Sequence, residues 1–238
     1  MQRLLALSAA VLGLAIAGTG HAASLQVAPV SIDLNAPAQA AAIHLRNRGT
    51  EPVNVQVRVF KWSQDGGEEQ LTPTTQVVAS PPAASLQPGT TYTIRIARTA
   101  APVTRGEESY RLLIDELPAT NLVRPDTGVN MVIRYSIPVF FAERTAGAML
   151  RWEVRRQGDE LVAKAINTGD RHAKIVDLAV EEPGGRISFG DGLNGYVLPG
   201  STKEWVVKAR PIAPGSRVTI TAKGNDHAVN ETTIVEGR

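Results

Sequence analysis

The residues of this chain that could do chemistry are spaced so as not to do it. Four histidines are present, His21, His44, His172 and His227. None stands at ligand-like spacing from another or from a carboxylate, so no metal site is expected. A hydrolase triad would set its serine on a Gly-x-Ser-x-Gly elbow, and the sequence has none. The carboxylate pairs Glu107-Glu108 and Glu181-Glu182 are adjacent in sequence. Neighbours on a strand point to opposite faces, so neither pair converges as a general acid and base. No glycine-rich loop precedes a helix to cradle phosphate. Cysteine is absent, which removes thiolate ligands, thiol nucleophiles and disulfides together. The expectation is a protein that is not an enzyme and takes no cofactor, nucleotide or metal.

What remains is the chemistry of backbone and apolar side chains, and the strongest pattern there is Val129–Phe141, VNMVIRYSIPVFF. Val129, Met131, Ile133, Tyr135 and Ile137 alternate with Asn130, Val132, Arg134, Ser136 and Pro138, the period of a long β-strand. Pro138 removes a ladder donor, so the strand is not expected to be fully central there. A long apolar edge is normally blunted. One left open reads as a working surface.

The rest of the chain carries similar short runs, among them Ala41–Leu45, Val53–Trp62, Thr91–Ala97, Tyr110–Ile114, Leu161–Ile166, Ile175–Val180, Glu204–Ala209 and Val218–Ala222. Asp65-Gly66, Pro88-Gly89, Pro199-Gly200 and Pro214-Gly215 punctuate them as turns. Strands at this spacing predict β-sandwich architecture. Trp62, Trp152 and Trp205 fall in or beside such runs and read as core or interdomain packing.

Met1-Gln-Arg3, the apolar run Leu4–Ala17 and the small residues Gly18–Ala22 have the layout of a secretory signal peptide, cut after Ala22 or Ala23. That leaves a mature chain of about 215 residues, expected to be exported. The net charge of +2, from 25 basic and 23 acidic residues, gives no reason to propose nucleic acid. The segment Ala142–Ala148 is small and polar, and a new strand pattern opens at Met149. The expected division is a leader over 1–22, one sandwich over 23–144 and a second over 145–238.

Several motifs then coincide along the mature chain. They are Leu25–Asp33, Arg58-Val-Phe-Lys-Trp62 before Asp65-Gly66, Leu71-Thr-Pro73-Thr and Ser80-Pro81-Pro82. Pro88-Gly89, Ile94-Arg95, the run Glu108–Pro118 and Tyr135-Ser-Ile-Pro138-Val-Phe140 follow. The second half adds Ala165-Ile-Asn167-Thr-Gly169 and Gly195–Gly200. In order and spacing this set resembles the periplasmic pilus-assembly chaperones of the chaperone–usher pathway. The branch looks like the archaic one, associated with spore-coat-protein-U-like pilins.

The resemblance implies an all-β fold, two immunoglobulin-like β-sandwich domains in an L or boomerang arrangement with a cleft between them. It implies a periplasmic chaperone that folds and caps pilin subunits by lending them a strand, then delivers them to an outer-membrane usher. Val129, Met131 and Ile133 are the candidate donor residues, with Leu122 and Val123 as extensions and Ala119–Gly128 as the loop before them. In the better-known branches, the resemblance implies, two basic residues anchor the subunit's C-terminal carboxylate, one on the first strand and one on the last strand of the first domain. Leu25–Asp33 holds no Arg or Lys, a departure from that pattern. The replacement candidates are Arg111, Arg134 and Lys61, with Arg95 behind them, since a guanidinium fork suits a carboxylate. Each could instead be a solvated outer-face residue or pair internally with Glu108, Asp115 or Glu116. Self-association through the donor edge is a further expectation. The alternative to the chaperone is a two-domain binding module for carbohydrate or protein.

Overall fold

The computed structural model describes residues 25–118, 132–224 and 228–237, and among them strands are the only regular elements. The first ten are β1 (Leu25–Ala28), β2 (Ile32–Asn35), β3 (Ala40–Asn47), β4 (Val53–Asp65), β5 (Glu68–Pro73), β6 (Val77–Ser80), β7 (Ala83–Leu86), β8 (Thr91–Arg98), β9 (Glu107–Leu117) and β10 (Arg134–Ala142). They form two sheets, one in the order β1-β3-β8-β6, the other β2-β10-β9-β4-β5 with β7 on β4. Ile43, Leu45, Val55, Leu86, Ile94, Ile96, Tyr110, Leu112, Ile114 and Val139 fill the space between and are fully shielded from solvent. Each comes from an alternating run, so burying one face of a strand exposes its other face.

Leu25–Asp33, read from sequence as one strand, is two. β1 lies antiparallel to β3, whereas β2 lies parallel to β10 in the opposite sheet. The switch falls at Ala28-Pro29, a cis peptide. Proline has no N–H to give a ladder, so the chain can leave one sheet there without orphaning a donor.

The other eight strands are β11 (Leu150–Gln157), β12 (Glu160–Asn167), β13 (Ala173–Glu182), β14 (Gly185–Ser188), β15 (Leu193–Val197), β16 (Thr202–Lys208), β17 (Arg217–Lys223) and β18 (Ala228–Gly237). They run β14-β13-β17-β18-β11-β12-β16, with β15 on β13. β18 joins the two layers, being antiparallel to β17 and parallel to β11. Their core holds Val154, Ala163, Ala165, Ile175, Leu178, Val180, Val197 and Ile220, all fully buried. The fold is thus all-β, two immunoglobulin-like sandwiches in succession.

Candidate functional site

β9 is central in its sheet and sends its residues alternately in and out. Tyr110, Leu112 and Ile114 enter the core, which puts Arg111 on the outer face. There it stands opposite Phe60 on β4 and Pro138 on β10. Two aromatic residues of the same outer face, Trp62 and Phe140, meet Tyr196 and Leu198 of the second sandwich in a small apolar cluster. The Trp62 ring lies 5.9 Å from Phe140 and 5.7 Å, edge on, from Tyr196. A tryptophan on an outer face would be exposed in one sandwich alone. Here it is 1% exposed, because the second sandwich covers it.

Arg111 is built into this cover. Its guanidinium carbon sits 3.6 Å from the centroid of Trp62 and 5.8 Å from that of Tyr196. Stacking on an aromatic face suits a planar, weakly hydrated cation. The side chain is 12% exposed, and one nitrogen, Nη2, reaches Glu69 at 3.4 Å. Nε is buried with no hydrogen-bond partner. Burial pushes the Arg111 guanidinium below its ordinary range, offset in part by the charge of Glu69.

The other candidates lie elsewhere. Arg134 opens β10 and is well exposed. It donates from Nε to Asp115, which also accepts from Arg58 Nη2 at 2.6 Å. The Arg134 hydrogen bond is the main cause holding the Asp115 carboxyl below the usual carboxylate range. Lys61 alternates with Arg58, Phe60 and Trp62 and so points the other way. Its ammonium lies 4.6 Å over Tyr110 and 3.8 Å from Glu108, itself held by Arg98 at 3.0 Å. Burial lowers the Lys61 ammonium. Arg95 is exposed on β8, in the opposite sheet. Arg111 and Arg134 share a face but stand four positions apart in the β10 register, about 13 Å along a strand. The basic candidates therefore do not converge on one point.

The edge of β10 is the second feature. β9 accompanies it over its whole length, Arg134↔Asp115 to Ala142↔Glu107. On its other side β2 covers only Val139–Ala142. From Arg134 to Pro138 that side has no strand partner among the described residues. Pro138, buried, stands where the second partner ends. Ile133, half-buried, directly precedes β10, and its carbonyl accepts from Glu116 N at 3.0 Å. Leu122, Val123, Val129 and Met131 lie outside the described residues.

Polar contacts fix the second sandwich in place. The Gln64 side chain donates to the Tyr196 carbonyl at 3.0 Å and accepts from Leu198 N at 2.9 Å. Arg171 donates to Asp33 at 2.7 Å, and His172 Nδ1 lies 2.7 Å from Glu107, whose side chain is fully buried. His172 also stacks on Phe140 at 3.6 Å. Gly106, with φ +64°, has the Asp170 carbonyl where a Cβ would come within 3.3 Å, so the backbones meet there on glycine terms. Sequence reading missed Gln64, Glu69, His172 and Tyr196. The sequence marks Pro199-Gly200 as a turn, but nothing local in it marks any of the four as part of a site.

These features can be set beside known proteins. A chain in the structure of the CsuC–CsuE chaperone–tip adhesion subunit pre-assembly complex, from archaic chaperone-usher Csu pili of Acinetobacter baumannii, is 26% identical with a TM-score of 0.66. The alignment covers 91% of this chain and 100% of that one. A chain from the complex of the Salmonella enterica SafA pilin with the SafB chaperone shares the fold at 18% identity and TM-score 0.64, covering 90% and 98%. The Pseudomonas aeruginosa CupB2 chaperone shares it at 19% and 0.58, covering 88% and 100%. Comparison with curated proteins finds no match. Residues 24–144, which carry β9, β10 and Arg111, match the family described as pili and flagellar-assembly chaperone, PapD N-terminal domain, and the chain belongs to that family.

Proposed function

We propose that this chain is a periplasmic strand-donating chaperone of the archaic chaperone–usher branch, exported after cleavage near Ala22. It binds and caps pilin subunits and hands them to an outer-membrane usher. The observation that carries the reading is the half-open edge of β10. An incomplete subunit sandwich exposes an apolar groove and unpaired backbone groups, both costly in water. A strand presented at the open side supplies ladder bonds, and Val129, Met131 and Ile133 fill the groove. Each such side chain buried contributes about 1.5–3 kcal/mol. The 26% identity with a chain of the archaic Csu complex supports the branch.

Arg111 is the favoured anchor for the subunit's C-terminal carboxylate. It is desolvated, held flat by Trp62 and weakly paired. Arg134 is already engaged by Asp115, and Lys61 faces Glu108 on the inner side. The test is periplasmic co-expression with a pilin encoded beside this chain, followed by affinity capture and sizing. A one-to-one complex is expected with the wild type, lost with Arg111→Ala and retained with Arg134→Ala. A complex that survives Arg111→Ala moves the anchor elsewhere, and none with any such pilin leaves a generic two-domain binding module.

A further inference from the structure

Arg111 is paired, but poorly. Both carboxylate oxygens of Glu69 reach the same nitrogen, Nη2, at 3.4 Å. A charge-assisted bond of good geometry is shorter, about 2.7–2.9 Å, and a bidentate one uses two nitrogens of the fork. Here Nε is buried and unpartnered, so half of the fork is unused. The guanidinium cannot move to improve the bond, because Trp62 holds its face at 3.6 Å.

Glu69 is the exposed member of the pair. It lies on β5, an edge strand whose six residues are all exposed, and its side chain is 43% exposed. Its register partner is Gln64, so it projects on the outer face of β4, the side that carries Trp62. Removing its carboxylate from Arg111 disturbs no core residue. The site thus joins a fixed, desolvated cation to a displaceable anion.

We propose that Glu69 is a placeholder, holding Arg111 in the free chain and giving way to the terminal carboxylate of a bound subunit. The proposal rests on the reading of Arg111 as the anchor. A free C-terminal carboxylate, not tethered to β5, can approach Nη2 more closely than the 3.4 Å that Glu69 reaches. Glu69 therefore lowers subunit affinity by competition and keeps the buried cation from standing without a counter-ion. Removing it should tighten carboxylate binding about two- to fivefold, the range for a half-exposed ion pair.

The test titrates N-acetylphenylalanine, with its amide as control, into the full mature chain and follows the Arg111 Nε–H resonance by NMR. Arg111→Lys assigns that signal by its loss. With Glu69→Gln, the acid should reach half-saturation at about two- to fivefold lower concentration than in the wild type, and the amide should leave the signal unmoved. Equal midpoints in the two proteins overturn the placeholder and leave Arg111 as the anchor. An Arg111 signal that moves in neither protein overturns both. Glu69→Gln is isosteric and exposed, so loss of the fold does not confuse the outcome.

Discussion

At the scale of single residues, Glu116 is the group whose environment fits it least. It alternates with Tyr110, Leu112 and Ile114 on the inward face of β9 and stands opposite Val55. Its Oε1 is buried without a hydrogen-bond partner, and burial alone pushes its carboxyl up. Tyr135 shares that face. Its hydroxyl donates to the Leu25 carbonyl at 2.6 Å, closing the sandwich between β1 and β10. Because the folded carboxyl is raised, the fold favours the protonated form. Its stabilising contribution is complete below the ordinary carboxylate range and is lost as pH rises through the folded value. Glu116→Gln keeps the shape without the charge. It should raise Tm at neutral pH by about 1–4 °C, with the gain shrinking towards about pH 4. Thermal unfolding across that range checks it, and an unchanged or lower Tm at neutral pH counts against it.

At the scale of elements, both sandwiches close on the same device. Asn47, ending β3, is fully buried and donates its amide to Glu51 O at 2.7 Å and Leu86 O at 3.0 Å, while its own Oδ1 accepts from Gly49 N at 2.9 Å. Asn167, ending β12, donates to Arg171 O at 2.7 Å and Val197 O at 3.0 Å and accepts from Gly169 N at 3.0 Å. A Pro-Gly turn lies beside each, Pro88-Gly89 and Pro199-Gly200. Alanine at either position strands buried carbonyls, at a cost of about 1–3 kcal/mol. Asn47→Ala and Asn167→Ala should lower stability by similar amounts in urea unfolding, and a large disparity would show the two devices to be unequal. The strands and turns that frame these asparagines are legible in the sequence, because alternation and Pro-Gly pairs are local signals. The sheet switch inside Leu25–Asp33 is not, since one run of residues serves two sheets. Arg111 is legible as a basic residue within a strand, but its aromatic slot is not. Trp62 and Tyr196 belong to different sandwiches, and the Gln64–Tyr196 bond spans 132 residues.

At the scale of the molecule, the two sandwiches are coupled through polar side chains, two of them taken out of water. The first contributes Asp33 and Glu107, the second Arg171 and His172, with Glu107 and His172 almost wholly shielded. Removing the Glu107 carboxylate takes a hydrogen bond from the buried His172 ring, which costs about 1–3 kcal/mol. Glu107→Ala should split a single calorimetric transition into two, one for each sandwich, and an undivided transition would sink the idea of coupling through this contact. The geometry of β10 has a mechanical consequence as well. Its nine ladder pairs with β9 run antiparallel without a break, from Arg134↔Asp115 to Ala142↔Glu107. A pull along the strand loads those bonds in shear, so they must fail together. On the proposed reading, a guest strand on the open side that is pulled outward from one end peels away one pair at a time, while the β9–β10 ladder, loaded only in shear, holds.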